Sequence, residues 1–175
     1  MRMELLLMLL LLVPTAMVHG QSGLTQSFTA SLTAVPTDPQ TVAGSVYVPA
    51  YSSVAMTPGK MRADFSVTLS LHNASESVPL ILKRIAYFDT SGVLVQSYLQ
   101  EPIALKPFAT IEIFISTKDV RGGTGANFVI DWAATAPIAE PVAEALMIGS
   151  LGSGHYAFVS QGRAVRVVGS KPHEP

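Results

Sequence analysis

The sequence predicts an all-β fold: an immunoglobulin-like β-sandwich of about eight strands, preceded by a cleavable signal peptide. Three observations predict it. Met61–His72 alternates strictly between apolar and polar residues. Short apolar segments recur between turn residues at intervals of roughly ten to fifteen positions, the rhythm of a sandwich or barrel. An unbroken apolar run, Leu5–Val13, sits behind a short polar start.

That start, Met1-Arg2-Met3-Glu4, with Leu5–Val13 and the Val18-His19-Gly20 end, has the layout of a secretory signal peptide over residues 1–20. Its apolar core is too short to span a bilayer, so the processed chain is not expected to be an integral membrane protein. The 175 residues include no cysteine. This excludes a disulfide framework, a thiol nucleophile and a lipid-modified N-terminal cysteine. Export without disulfides points to a bacterial periplasmic or secreted protein. The 11 Lys+Arg nearly balance 12 Asp+Glu, which argues against a nucleic-acid partner, since that needs a basic surface.

Residues 21–40, rich in Ser, Thr and Ala, read as a flexible leader, and Gly169–Pro175 as a disordered tail. Between them, residues 41–168 form the domain. Ser45–Val48 opens it as a strand, with Pro49 favouring a strand end. In Met61–His72 the apolar set is Met61, Ala63, Phe65, Val67, Leu69 and Leu71, one face of a strand. Pro79–Phe88 changes phase, with Leu80 and Leu82 on one parity and Ile85 and Tyr87 on the other. A bulge near Lys83-Arg84 lets both pairs face inward. Asp89-Thr90-Ser91-Gly92 reads as a tight turn into the partner strand Val93–Leu99.

Thr110–Ser116, Asn127–Ala133, Tyr156–Val159 and Ala164–Val168 follow as strands. Ala139–Met147 carries helix-forming residues, with Gly149 placed as a helix stop. Its length favours a strand at Ala143–Ile148, and both readings stay open. The expected core gathers Phe65, Val67, Leu69, Ile111, Ile113 and Trp132.

Candidate chemistry is sparse. Arg121-Gly-Gly-Thr-Gly-Ala-Asn127 has no P-loop lysine and runs into a strand rather than a helix. It reads first as a connection needing positive φ. As a binding loop it would use Asp119, Arg121, Gly123, Gly125 and Asn127; Asp119, Asn127 and backbone carbonyls would suit a hard cation. Asp89, Asp119, Asp131 and Glu144 are the acids a hydrolase would need. Glu144 shares parity with Val142, Leu146 and Ile148, so a partly buried site paired with Arg84 or Arg163 is expected. Tyr47 and Tyr51 flank Pro49 as core-edge anchors or a stacking surface. His72, His155 and His173 show no metal-ligand spacing, and no cofactor is called for. Asn73-Ala74-Ser75 reads as turn chemistry rather than a glycosylation site.

Seven segments together resemble a family: Tyr47–Ser52, Leu69–Asn73, Tyr87–Gly92, Tyr98-Leu99 with Glu101-Pro102, Gly122–Phe128, Glu144–Ile148 and Phe158–Ser160. In this order they resemble the bacterial domain of unknown function 3124 family, over about residues 44–168. The resemblance implies an exported or membrane-anchored bacterial protein. Many members carry a lipid-anchoring cysteine; its lack here implies a freely soluble form. No catalytic residue carries over. The favoured function is a non-catalytic binding or interaction module for an envelope protein or glycan. The rivals are an envelope-polymer hydrolase and a small-ligand or divalent-cation binder.

Overall fold

The computed structural model describes residues 20–57, 59 and 61–169. The signal peptide, apart from Gly20, and the tail beyond Gly169 lie outside the described residues, as does His173.

Twelve strands are present among the described residues. In chain order they are β1 (Leu32–Thr33), β2 (Val42–Pro49), β3 (Ser53–Thr57), β4 (Met61–His72), β5 (Leu80–Phe88) and β6 (Leu94–Ser97). There follow β7 (Ile103–Leu105), β8 (Thr110–Ile115), β9 (Asn127–Ala134), β10 (Val142–Leu151), β11 (Gly154–Gln161) and β12 (Arg163–Val168). Three of them, β1, β3 and β7, exceed the expected count. β1 and β7 run two and three residues, too short for an alternating pattern to declare itself, and in the five residues of β3 the consecutive Val54, Ala55 and Met56 break the alternation.

The strands form two antiparallel sheets. One runs β1-β7-β5-β9-β2-β12, with β6 also on β5; the other runs β11-β10-β4-β3, with β8 also on β4. Each is built around a long strand whose second edge is divided between two short ones. On β5, β7 takes Leu80–Leu82 and β6 takes Ala86–Phe88. On β4, β3 takes Met61–Asp64 and β8 takes Val67–His72.

Period-two patterning puts the apolar sets of both sheets into one core. Phe65, Val67, Leu69, Ile111, Ile113 and Trp132 are all buried there. The bulge in β5 occurs where the phase change requires it, between Leu82 and Arg84 opposite Trp132 and Asp131. It turns Leu80, Leu82, Ile85 and Tyr87 all inward.

β10 is a strand despite its alanines, glutamate, leucine and methionine. It is bonded along both edges, to β4 and to β11, and two ladders outweigh a helix propensity of tenths of a kcal/mol per residue, about 0.7 at most. Gly149 stops no helix; it lies mid-strand opposite Phe65. Asn73 is a turn residue: it is buried, its Oδ1 accepts from the Ser75 amide at 3.0 Å, and its Nδ2 donates to the Val78 carbonyl at 2.9 Å.

The segment read as a leader contains a helix, α1 (Gly20–Ser27), and a 3-10 turn at Thr29–Ser31. Leu24 joins the core, with Phe28 and Leu32 packed against it. These three apolar residues, each four apart, are inconspicuous among polar neighbours but form one contact line. β1 then pairs with β7, and the Lys106 ammonium donates to the Ala30 carbonyl at 2.8 Å.

At the opposite border the chain changes sheets. β11 ends the five-stranded sheet, β12 ends the seven-stranded one, and Gly162 alone separates them. A Cβ on Gly162 would lie 2.7 Å from Val46 Cγ1 and 2.8 Å from the Ala143 carbonyl oxygen. Only glycine lets the corner close this tightly.

Candidate functional site

The glycine loop folds back on its own chain. The Gly123 amide donates to Ser52 Oγ at 2.8 Å, and the Ser52 amide donates to the Gly123 carbonyl at 3.1 Å. The Gly125 amide donates to Thr90 Oγ1 at 2.9 Å, and the Thr90 amide and hydroxyl both donate to the Gly122 carbonyl. Arg62 ties Ser53 to Thr124, donating to the Ser53 carbonyl at 2.7 Å and to Thr124 Oγ1 at 3.0 Å. Gly123 takes the expected positive φ, +71°.

Anion binding at such a loop needs amides free to converge on a ligand, and these two are spent within the chain. The other proposed ligands are similarly engaged. Asp119 holds Arg121 through two bonds of 2.8 and 2.7 Å, and the Arg121 side chain keeps its carboxyl below the usual aspartate range. Asn127 Nδ2 donates to the Gly125 carbonyl at 3.3 Å. Asp89 Oδ1 accepts from the Ser91 and Val93 amides at 2.8 and 2.9 Å, building the β5–β6 turn. The loop is a clasp joining the ends of β2, β5 and β9.

Asp131 lies on the outer face of the seven-stranded sheet, in a cross-strand row Arg84–Asp131–Ser45–Arg166. Arg84 Nε stands 2.7 Å from Asp131 Oδ2, and Ser45 Oγ donates to Oδ1 at 2.6 Å. Burial pushes the Asp131 pKa up, but the Ser45 and Arg84 bonds outweigh it and hold the carboxyl below its ordinary value. A depressed folded pKa contributes stability above the unfolded value, about 3.9, and loses it as pH falls through the folded one. Asp131→Asn is therefore expected to lower the melting temperature at neutral pH, with the gap to wild type closing below about pH 4. Melting curves across an acid series check this; a gap that stays constant into acid counts against it.

Glu144 lies on the other outer face, directly between Ser70 and Gln161. Its parity and its partial burial are as expected, on the outer side of the sheet that it shares with exposed Val142, Leu146 and Ile148. Arg84 is committed to Asp131 across the molecule, and Arg163 lies on β12 beside Tyr47. Neither ion pair formed among the described residues includes Glu144. The acids Asp89, Asp119, Asp131 and Glu144 thus fall into separate settings: turn, loop and two opposite sheet faces.

An open concavity lies at the corner. A groove of about 740 Å³ is lined by Tyr47, Pro49, Val159, Ser160, Gln161, Gly162, Arg163 and Val165. Tyr47 is exposed and pairs directly across from Arg163. Arg163 forms no ion pair among the described residues. Tyr51 does not join Tyr47. It turns toward the core and stacks on Phe158, centroids 5.8 Å apart, with Phe65 edge-on to the same ring at 5.2 Å. Sequence reasoning missed Gln161 and Val159 and gave Arg163 a different role, because the groove exists only where one chain passes between two sheets.

The model of the family described as protein of unknown function (DUF3124) matches residues 43–165. The chain belongs to this family. Segments through which it resembles the DUF3124 family meet in the structure. Ser52 clasps Gly123, Thr90 clasps Gly122 and Gly125, and the Ser160 hydroxyl donates to the Pro49 carbonyl. No curated protein matches the chain. A similar solved structure is the crystal structure of Thermotoga maritima 1070, at 10% identity and a TM-score of 0.40, covering 69% of this chain and 92% of that one. Among the described residues of this DUF3124 domain no helix is long and apolar enough to cross a membrane.

Proposed function

We propose that this DUF3124 domain is an exported, non-catalytic binding module of immunoglobulin-like type, acting in the bacterial periplasm or outside the cell. Its binding site is the corner groove. The observation that carries the reading is an exposed tyrosine and a guanidinium without a carboxylate partner among the described residues, side by side in an open groove. A tyrosine ring offers a flat apolar contact, and a guanidinium offers forked donors to carboxylate or carbonyl oxygens. Together they suit an extended envelope polymer or protein segment of neutral or acidic character. Export is supported by the Met1–Gly20 layout and by the absence of cysteine.

Capture of envelope components on the immobilised chain tests this. The doubly substituted Tyr47→Ala/Arg163→Ala chain is expected to lose the captured component while keeping its melting temperature. Asp119→Ala, altered outside the groove lining, should retain it. A component held equally by all three chains would show that the groove is not the site.

A further inference from the structure

β11 is the outermost strand of the five-stranded sheet, and one edge is bonded to β10 in an unbroken register from Gln161 to Gly154. The Gly162 amide donates to the Ala143 carbonyl at 2.7 Å, which sets the phase of that ladder. Directly opposed residues exchange both backbone bonds at alternate positions. Ser160, Phe158, Tyr156 and Gly154 therefore turn their backbone groups to β10, while Val159, Ala157 and His155 turn theirs away from it. Edge strands are ordinarily shielded by charged side chains, proline or a bulge. Gly154–Gln161 contains no Asp, Glu, Lys, Arg or Pro, and its ladder has no bulge. Both of its faces expose apolar side chains, Tyr156 and Phe158 on one, Val159 on the other. Val159 stands directly opposite exposed Leu146 of β10.

We propose that two copies of the domain join through these edges, their β11 strands antiparallel about a two-fold axis at Ala157. Five strands from each copy would then form one continuous sheet. In this register the outward backbone groups of Ala157 meet their own copies, those of His155 meet Val159, and Tyr156 lies across from Phe158. Charge selects the occupant. A strand paired with itself brings its own charges together, and β11 has none to repel. Self-pairing at the edge of β12 would instead bring Arg163 and Arg166 together, and at the edge of β8 it would double Glu112. An acidic or basic segment would find no counter-charge on β11. The pairing uses residues 155–159 and stops short of Ser160, where the end of β2 meets β11. The inference does not rest on the groove reading, although Val159 belongs both to this edge and to the groove lining.

Light scattering and sedimentation of the full chain across micromolar concentrations test it. The expected mass is that of two chains. Ala157→Pro removes an outward amide that bonds nothing among the described residues of a single copy, and Val159→Lys places a charge at the shared edge. Each is expected to give the mass of one chain, and Val159→Lys to do so while still unfolding in one cooperative transition, at a melting temperature that no longer rises with chain concentration as the wild type's does, which covers the case of a proline variant that folds poorly. Hydrogen exchange at the Ala157 and Val159 amides should be slow in the wild type; in the Val159→Lys chain the Ala157 amide should exchange fast. A wild type with the mass of one chain overturns the proposal, as does a Val159→Lys chain that still weighs two. Envelope capture by a wild type of one-chain mass would overturn self-pairing while leaving the groove reading intact.

Discussion

Phe128→Ala is expected to destabilise the domain by about 3–5 kcal/mol, the cost of truncating a fully buried phenylalanine. Phe128 is 0% exposed on β9, a strand bonded on both edges by β5 and β2. Its ring lies 4.9 Å from Tyr87 and 6.4 Å from Tyr98, centroid to centroid. Tyr87 in turn is held against the glycine clasp at Gly122, so the site can collapse little when the ring is removed, and the cavity term is kept. Domains of this kind have stabilities of about 5–15 kcal/mol, so this single change could consume much of the total. Urea unfolding followed by near-ultraviolet circular dichroism measures it, with a lower midpoint at an unchanged slope expected. Phe114→Ala is the matching control. Phe114 is 63% exposed on the outer face of β8, and its truncation should stay within about 0.5 kcal/mol. Equal costs for the two would contradict the assignment of inner and outer faces.

Gly122→Ala is expected to cost about 1–3 kcal/mol by overpacking. An added Cβ would sit 1.9 Å from the Tyr87 hydroxyl oxygen and 2.6 Å from Ala126 Cβ. Tyr87 is a rigid ring, 1% exposed and stacked on Phe128, so it has nowhere to withdraw. Burial raises the Tyr87 pKa above the ordinary tyrosine value, with Ser52 pulling the other way, yet among the described residues no group meets its hydroxyl in hydrogen-bonding geometry. Tyr87→Phe should therefore be close to neutral by itself, because it deletes an unpaired buried group. It should also relieve the clash. In a double-mutant cycle the two changes are expected to couple by about 1 kcal/mol, the double variant being more stable than Gly122→Ala alone. Strict additivity would mean that the hydroxyl and position 122 do not compete for space.

The clasp shows how far sequence reasoning reaches. Glycine spacing and the Asp89–Gly92 turn are local chemistry, and both were legible. That Thr90 and Ser52 would bond to the loop was not, since these partners lie 32 and 71 positions away from their glycines. Acids that looked like candidate catalysts were candidates only in isolation. Asp119 and Asp89 have local partners within four residues, whereas Asp131 needed Arg84 and Ser45 from two other strands.

By itself the sequence determined much of what is governed by neighbours along the chain: the strand at Met61–His72, the buried face from Ala63 to Leu71 though not its exposed first residue Met61, the β5 bulge, the β5–β6 hairpin, and membership of the family. Side-chain direction in a strand repeats every two residues, so an alternating run declares its buried face without reference to anything distant. Only the tertiary structure decided what depends on two edges meeting. It made Ala139–Met147 a strand where it is bonded on both sides, docked Leu24, Phe28 and Leu32, placed Glu144 on a solvent face, and brought Tyr47 beside Arg163. Which ladder a strand joins is set by partners tens of residues away, and local propensity is too weak to announce them.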